Sequence, residues 1–178
     1  NINTGDIRFP RATEYIKEQI ALAKTLEEKG FAYRLPDGLY FDTEKFSSYG
    51  RLGGLSSAKL EAGARVRKVA GKRHPTDFVL WRTAKPNDLQ QWDSPWGRGN
   101  PGWHIECSAM IRALLGQEID IHTGGEDLAQ IHHNNEIAQA EAASGRTFVH
   151  YWMHSAFLTM NGEKASKSLG NVVYLSDI

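Results

Sequence analysis

Apolar residues recur at helical spacing near the start of the chain. Ile16, Ile20, Ala23 and Leu26 fall along one face of a helix predicted over 11–29, with Glu14, Lys17, Glu18, Lys24, Glu27 and Glu28 on the other. Pro10 suits the first turn of that helix and Gly30 its C-terminal stop. The period then shortens. Phe31-Ala32-Tyr33 and Leu39-Tyr40-Phe41 flank the turn sequence Pro36-Asp37-Gly38, which predicts a hairpin over 31–42. Residues 46–73 are polar, with Gly53-Gly54 and a basic run Arg65-Val66-Arg67-Lys68 that reads as a solvated face or a phosphate contact. Phe78-Val79-Leu80-Trp81 predicts a buried strand, and 83–101, rich in Pro, Gly, Trp and Asp, predicts a long ordered loop anchored by Trp92 and Trp96.

Past Pro101 the elements alternate. A short helix is predicted over 108–115 before Gly116, a strand of period two over 118–122, and a helix over 131–144 ended by Gly145. A strand over 157–160 then runs into the Asn161-Gly162 turn. Helix-strand-helix-strand order predicts an α/β fold, a parallel sheet with helices packed on it.

Bulk numbers narrow the class. The chain has 178 residues, 40% of them hydrophobic, which supports one packed domain or slightly more. Lys plus Arg balance Asp plus Glu at 21 each, so no global basic field argues for nucleic acid. A single cysteine forms no internal disulfide, which excludes a secreted disulfide scaffold and makes a reducing, cytoplasmic setting the expectation. No run approaches the ~18 apolar residues of a membrane helix. The chain begins Asn1-Ile2-Asn3 without an initiator Met and is expected to be part of something longer.

The candidate chemistry lies in the last third. On the helix over 131–144, His132 and Glu136 are four apart and share a face. With the thiolate of Cys107 they make a plausible zinc set, and three protein ligands with an open position is the catalytic pattern. His133 points about 100° away from His132, so the fourth ligand is expected to be water, substrate or a residue outside the chain. The plainer readings are a salt link on a helix surface and a lone cysteine acting as a small core hydrophobe. Lys164 and Lys167 bracket Ala165-Ser166 after the turn, where two ammonium groups on a loop could stabilise charge on a transferring phosphate group. The alternative is a solvated surface turn. His122-Thr123-Gly124-Gly125 follows a predicted strand end, where missing side chains let a ligand approach the backbone, and Asp127 could accept hydrogen bonds from ribose hydroxyls.

The order and spacing of these motifs resemble cysteinyl-tRNA synthetase, a class I aminoacyl-tRNA synthetase. The resemblance covers most of the chain: Pro10-Arg11-Ala12-Thr13, Gly30-Phe31-Ala32-Tyr33, Asp77-Phe78-Val79-Leu80-Trp81, Trp92-Asp93-Ser94-Pro95-Trp96-Gly97 and Pro101-Gly102-Trp103-His104-Ile105-Glu106-Cys107-Ser108-Ala109-Met110. It continues through Asn135-Glu136-Ile137-Ala138-Gln139, Tyr151-Trp152-Met153-His154 and Gly162-Glu163-Lys164-Ala165-Ser166-Lys167-Ser168-Leu169-Gly170-Asn171.

The resemblance implies a Rossmann-type core with an inserted connective region. Residues 1–30 and 101–178 would belong to the core and 31–100 to the insertion. It implies one zinc per subunit on Cys107, His132 and Glu136, with the metal binding the thiolate of substrate L-cysteine; ligand softness then rejects serine, a near-isostere that pocket shape discriminates poorly. Trp103, with Cys107 and His132, would form the cysteine pocket. His122, Gly124, Gly125, Asp127 and Lys167 would serve the ATP side, Lys164 and Lys167 would act as catalytic lysines, and Mg2+ would accompany the ATP. The partner would be the acceptor end of tRNA(Cys), and a monomer is expected.

Departures from the family pattern include Ala165 where Met is usual, and 126–131, which lacks the commoner aromatic-proline lead into the two histidines. The N-terminal half with its HIGH motif and first zinc cysteine, and the anticodon-binding region, are not found, so the chain alone is expected to be inactive. Two other functions fit the same residues: a ligase joining cysteine to an amino sugar, as in mycothiol synthesis, and a non-catalytic zinc-binding paralogue.

Overall fold

A computed structural model describes residues 5–53 and 71–174. The basic run at 65–68 and Gly54 lie outside the described residues. Helix α1 spans Ile16–Glu28 and begins later than the periodicity predicts. Ala12–Glu14 instead form a separate 3-10 turn, and the buried Gln19 side chain donates to Ala12 O at 2.8 Å, tying that turn across the helix start. The end falls where Gly30 places it. Gly30 has φ 79°, its N–H donates to Glu27 O and Phe31 N–H donates to Leu26 O, both at 2.9 Å. That double closure satisfies the last carbonyls and needs a left-handed residue, which glycine takes at no steric cost.

The hairpin forms as predicted, with β1 at Ala32–Leu35 and β2 at Gly38–Phe41. β3, Phe78–Thr83, pairs antiparallel with β2 and carries the fully buried Leu80 and Trp81. β4, Gly99–Pro101, closes a four-stranded antiparallel sheet in the order β1-β2-β3-β4. The stretch predicted as one long loop therefore ends in a strand, and Trp92 folds back to pair with Gly99. Trp96 donates its indole N–H to Glu27 at 2.9 Å, so both tryptophans do anchor the loop. Bulk excludes any side chain at Gly99, where a Cβ would meet Arg82 O at 2.1 Å.

Helix α2 spans Trp103–Leu114, starting well before the predicted 108. Gly102 explains this. Its N–H donates to Leu80 O at 3.0 Å, and a Cβ there would lie 2.1 Å from Val79 O. The sheet thus hands the chain directly into the helix, and Trp103-His104-Ile105-Glu106-Cys107 becomes its first turns. Beyond Gly116, with φ 100°, come β5 at Ile119–Gly125, the short helix α3 at Glu126–Ala129 and helix α4 at His132–Ser144. Gly145, φ 73°, ends α4.

β6, Val149–Ser155, pairs parallel with β5, from Ile119 opposite Val149 to Gly125 opposite Ser155. The parallel sheet is as predicted, but its second strand is not the one predicted over 157–160. That segment supplies β7, Thr159–Met160, which turns through Asn161 and Gly162 into β8, Glu163–Lys164. Both turn residues have positive φ, 54° and 83°, the pattern of a two-residue hairpin loop. β5 also departs from simple alternation, for Ile119 is buried while Ile121 is 56% exposed. Tyr151, opposite Ile121, and Met153 are exposed as well, so beyond the buried Ile119–Val149 pair this face of the parallel pair is exposed.

One core cluster unites α1, the antiparallel sheet, α2 and α4, and a second, Ile119, Ile137, Phe148 and Val149, joins β5 and β6 to α4. Leu22, Ala23 and Leu26 of α1 meet Phe41, Leu80 and Trp81 of the sheet, Ile105 and Ala109 of α2, and Ala138 and Ala142 of α4. A polar hub ties the sheet to the following segment. Asp77 accepts from Tyr33 Oη at 2.6 Å, from Thr43 N and Oγ1 at 2.9 Å, and from His74 N at 3.0 Å. Asp77→Ala strands these donors and is expected to cost about 3 kcal/mol, read as a lowered midpoint in urea unfolding followed by tryptophan fluorescence.

Candidate metal and substrate site

Helix α4 buries a run that composition would place in water: His132, His133, Asn134, Asn135, Glu136 and Gln139 are all buried. The amides make this tolerable. The Asn134 side chain accepts from Leu52 N at 3.1 Å and donates to Leu52 O and Ala129 O at 3.2 and 2.9 Å. Tyr49 donates to Asn135 Oδ1 and Ser108 to Gln139 Oε1, at 2.6 and 2.7 Å. Buried polar groups are stable when hydrogen-bonded, and these clamp α4 to the 49–52 segment and to α2.

Glu136 departs furthest from this, since among the described residues both its oxygens lack a partner where Gln139 lacks one only at Nε2. It is fully buried, and neither carboxylate oxygen accepts a hydrogen bond of normal geometry from the described residues. Three imidazole nitrogens converge on it instead. His132 Nε2 lies 3.6 Å from Oε1, while His122 Nε2 and His133 Nε2 lie 3.4 and 4.0 Å from Oε2. The thiol of Cys107, on α2, faces the same carboxylate. The ligating atoms of Cys107, His132 and Glu136 fall within 4.8 Å of one another, and so do those of His122, His133 and Glu136.

His133 stays about 100° from His132 around the helix, outside the Cys107–His132–Glu136 group, yet its Nε2 also reaches Glu136. Glu136 follows His132 by four residues and His133 by three, so it sits between them on the helix surface at about 40° from one and about 60° from the other. Two more histidines stand behind these. His104 Nδ1 lies 2.9 Å from His132 Nδ1, and His154 Nε2 lies 2.7 Å from His133 Nδ1. Neither was singled out from sequence as a site residue, His154 because Tyr151, Trp152 and Met153 are consecutive apolar residues and mask the alternation of β6. The Trp152 ring lies 4.7 Å from His122 and 4.8 Å from His133 and walls the cluster on the β6 side.

The electrostatics favour an incoming cation. Burial, then the neighbouring histidines, holds the imidazoles neutral: His104 and His133 are pulled down to about 3, His132 to about 4, and His122 is lowered. Burial raises Glu136 to about 8. Burial, and then the charge of Glu136, raises the Cys107 thiol to about 12. Neutral rings keep a lone pair for a metal, and Glu136 and Cys107, protonated without one, would ionise as the negative partners of an arriving divalent cation. With Zn–N and Zn–S bonds of about 2.0 and 2.3 Å, the His132–Glu136 spacing already matches a shared ion.

The remaining predicted site residues have definite places. Trp103, 60% exposed, sets its ring 4.5 Å from that of His132 at the mouth of the cluster. Gly124 and Gly125 lie within β5 rather than after it, opposite His154 and Ser155. The space of a side chain at Gly124 is taken by the His133 ring, 2.6 Å from an ideal Cβ, and at Gly125 by the exposed Asp127 carboxylate at 2.4 Å. Lys164 ends β8 with its ammonium 3.4 Å from the centre of the Phe157 ring, and Lys167, exposed, opens the 3-10 turn Lys167–Leu169. Asn171 closes this loop, accepting from Ser166 N at 2.8 Å and donating to Lys164 O at 3.3 Å.

The whole chain, residues 1–178, matches the family described as tRNA synthetases class I (C) catalytic domain. It is 53% identical to the cysteine–tRNA ligase of Thermococcus gammatolerans over 177 residues, 99% of this chain and 37% of that protein. The chain belongs to the cysteinyl-tRNA synthetase family. The ligase of Shouchella clausii is 52% identical over 178 residues, all of this chain and 38% of that protein. That of Clostridioides difficile is 53% identical over 169 residues, 95% of this chain and 36% of that protein. The chain thus spans a little over a third of the length of these relatives. Its fold class is that of the family, α/β, with the parallel β5–β6 pair against α4. Among the described residues no helix is long and apolar enough to cross a membrane.

Because Cys107 and Glu136 both carry protons near neutral pH without a metal, cation binding must displace them. Zinc titration near pH 7 is expected to release about two protons per ion, and affinity is expected to rise with pH. Calorimetry in buffers of different ionisation enthalpy reads the proton count; no release would show that these two groups do not ligate.

Proposed function

We propose that this chain is the cysteine-selecting part of an ATP-dependent cysteine–tRNA ligase, acting with the further residues that its relatives possess. The observation that carries the reading is the buried Glu136 carboxylate, which has no hydrogen bond of normal geometry among the described residues and has Cys107 and His132 around it. Cys107, His132 and Glu136 would hold one zinc ion, with His122 and His133 lining its other side. When bound, the ion supplies a soft Lewis acid that takes a thiolate in preference to a hydroxyl, the distinction needed between cysteine and serine.

The chain's own residues do the rest by placement. Trp103 lies over His132 and would cover the amino-acid side of the site. His122 turns into the metal cluster, while Gly124, Gly125 and Asp127 run from β5 into α3 and would face the nucleotide. A cysteine carboxylate oxygen would attack the α-phosphorus of ATP with Mg2+ present, and pyrophosphate would leave. A ribose hydroxyl at the acceptor end of tRNA(Cys) would then attack the cysteinyl carbonyl, and AMP would leave. Lys164 and Lys167 would neutralise charge developing on the phosphates, preorganised by the Asn171 closure. Ala165 donates its N–H to Leu158 O at 2.8 Å, a contact that needs no particular side chain and supports tolerance of Ala there.

We also propose that 31–100 is an insertion between two parts of one core, 1–30 and 101–178. In support, the antiparallel sheet is built from 32–101, and the parallel pair lies wholly after it.

In the full-length protein, transfer of labelled cysteine to tRNA is expected to require ATP and to leave serine uncharged. Transfer to an amino sugar without tRNA would instead establish the related ligase. Lys167→Ala is expected to lower kcat for charging about 100- to 1,000-fold with little change in KM for cysteine. Cys107→Ser is expected to lose zinc, measured by elemental analysis of the purified protein; full retention would remove Cys107 from the ligand set.

A further inference from the structure

The zinc reading leaves open what aims His132. An imidazole ligates through one nitrogen, and the other nitrogen decides which tautomer is present and how the ring is turned. In this chain the second nitrogen of His132 meets another imidazole. His132 Nδ1 lies 2.9 Å from His104 Nδ1. His104 is itself held, with its ring edge against Phe78 at 5.6 Å and 81° and its other neighbour Trp103 at 5.1 Å. It is the second residue of α2, three before Cys107, so one helix positions both the thiol and this ring.

Two nitrogens at hydrogen-bond distance share a single proton. If His104 Nδ1 carries it, the neutral His132 ring has its proton on Nε2, and that nitrogen has no lone pair for a metal. If His132 Nδ1 carries it, His132 Nε2 presents a lone pair 3.6 Å from Glu136 Oε1, and His104 has its proton on Nε2. Only the second arrangement ligates.

Resting on the zinc reading above, we propose that His104 is a positioning residue of the metal site: its Nδ1 accepts the His132 Nδ1 proton and turns His132 Nε2 toward the ion. The same pair stays satisfied when the ion is absent. His104 Nδ1–H then donates to His132 Nδ1, and His132 Nε2–H faces the Glu136 carboxylate. A fixed acceptor such as a backbone carbonyl could not reverse its role in this way, because it has no proton to give.

The test is zinc affinity of the full-length protein by competition with a chromophoric chelator, for wild type, His104→Phe and His104→Asn, with circular dichroism reporting folding. Phe keeps a ring against Phe78 and removes the acceptor. Asn restores an oxygen near the Nδ1 position. His104→Phe is expected to bind zinc about 10- to 100-fold more weakly, and His104→Asn within about threefold of wild type. Equal binding by wild type and His104→Phe would overturn the proposal while leaving the zinc reading intact; no binding by wild type would overturn both. Equal loss in both variants would assign His104 a packing role and also overturn it. Nitrogen-15 NMR of the zinc-loaded wild type gives an answer independent of variant folding. The expected tautomers are Nδ1–H on His132 and Nε2–H on His104, and Nδ1–H on His104 would refute the assignment.

Discussion

A carboxylate fully enclosed in protein, with no hydrogen bond of normal geometry among the described residues, is the constraint around which this site is arranged. Burying Glu136 unpaired costs several kcal/mol as an anion, and in the metal-free chain it is relieved by protonation, as its rise to about 8 indicates. Among the described residues, the groups that face it are imidazoles lowered by burial and the thiol of Cys107, held in its protonated form. Such a set is poorly suited to a structural salt bridge, which would need a lasting positive charge. It suits a site whose charge arrives with a cation.

The scaffold places that set through contacts between elements rather than through local pattern. β3 hands the chain to α2 through the Gly102–Leu80 hydrogen bond, which fixes where Cys107 stands. The amides of Asn134 and Asn135 tether α4 to the 49–52 segment, which fixes where His132 and Glu136 stand. α1 lies under both helices and contributes Leu22, Ala23 and Leu26 to the shared core. Gly124 gives His133 its place, since a side chain there would occupy the space of the ring. The Lys-Ala-Ser-Lys loop is built differently. It is exposed, held by a short hairpin and by Asn171, with Lys164 resting on Phe157.

Much of this was legible in the sequence. The spacing of Ile16, Ile20, Ala23 and Leu26 made α1 evident, and Gly30, Gly116, Gly145 and Asn161-Gly162 ended or turned the chain where glycine chemistry predicts. The i, i+4 relation of His132 and Glu136 is a property of any helix, so that pair was readable once the helix was. Boundaries failed where tertiary contacts overrode local pattern. α2 began five residues before its predicted start because the strand hydrogen bond at Gly102 launches it, and the parallel partner of β5 was 149–155 because its exposed Tyr151 and Met153 hid the alternation.

What the sequence determined by itself was the set of local elements, the candidate metal ligands Cys107, His132 and Glu136, and membership of a family, because residue type and short spacing carry those. What only the tertiary structure decided was the company those ligands keep. His104, His122, His133 and His154 come from α2, β5, α4 and β6, and no local period links them. They converge because a shared core packs α2 against α4 and a parallel ladder sets β6 beside β5. Distances between side chains on different elements are fixed by that packing, which a linear pattern does not contain.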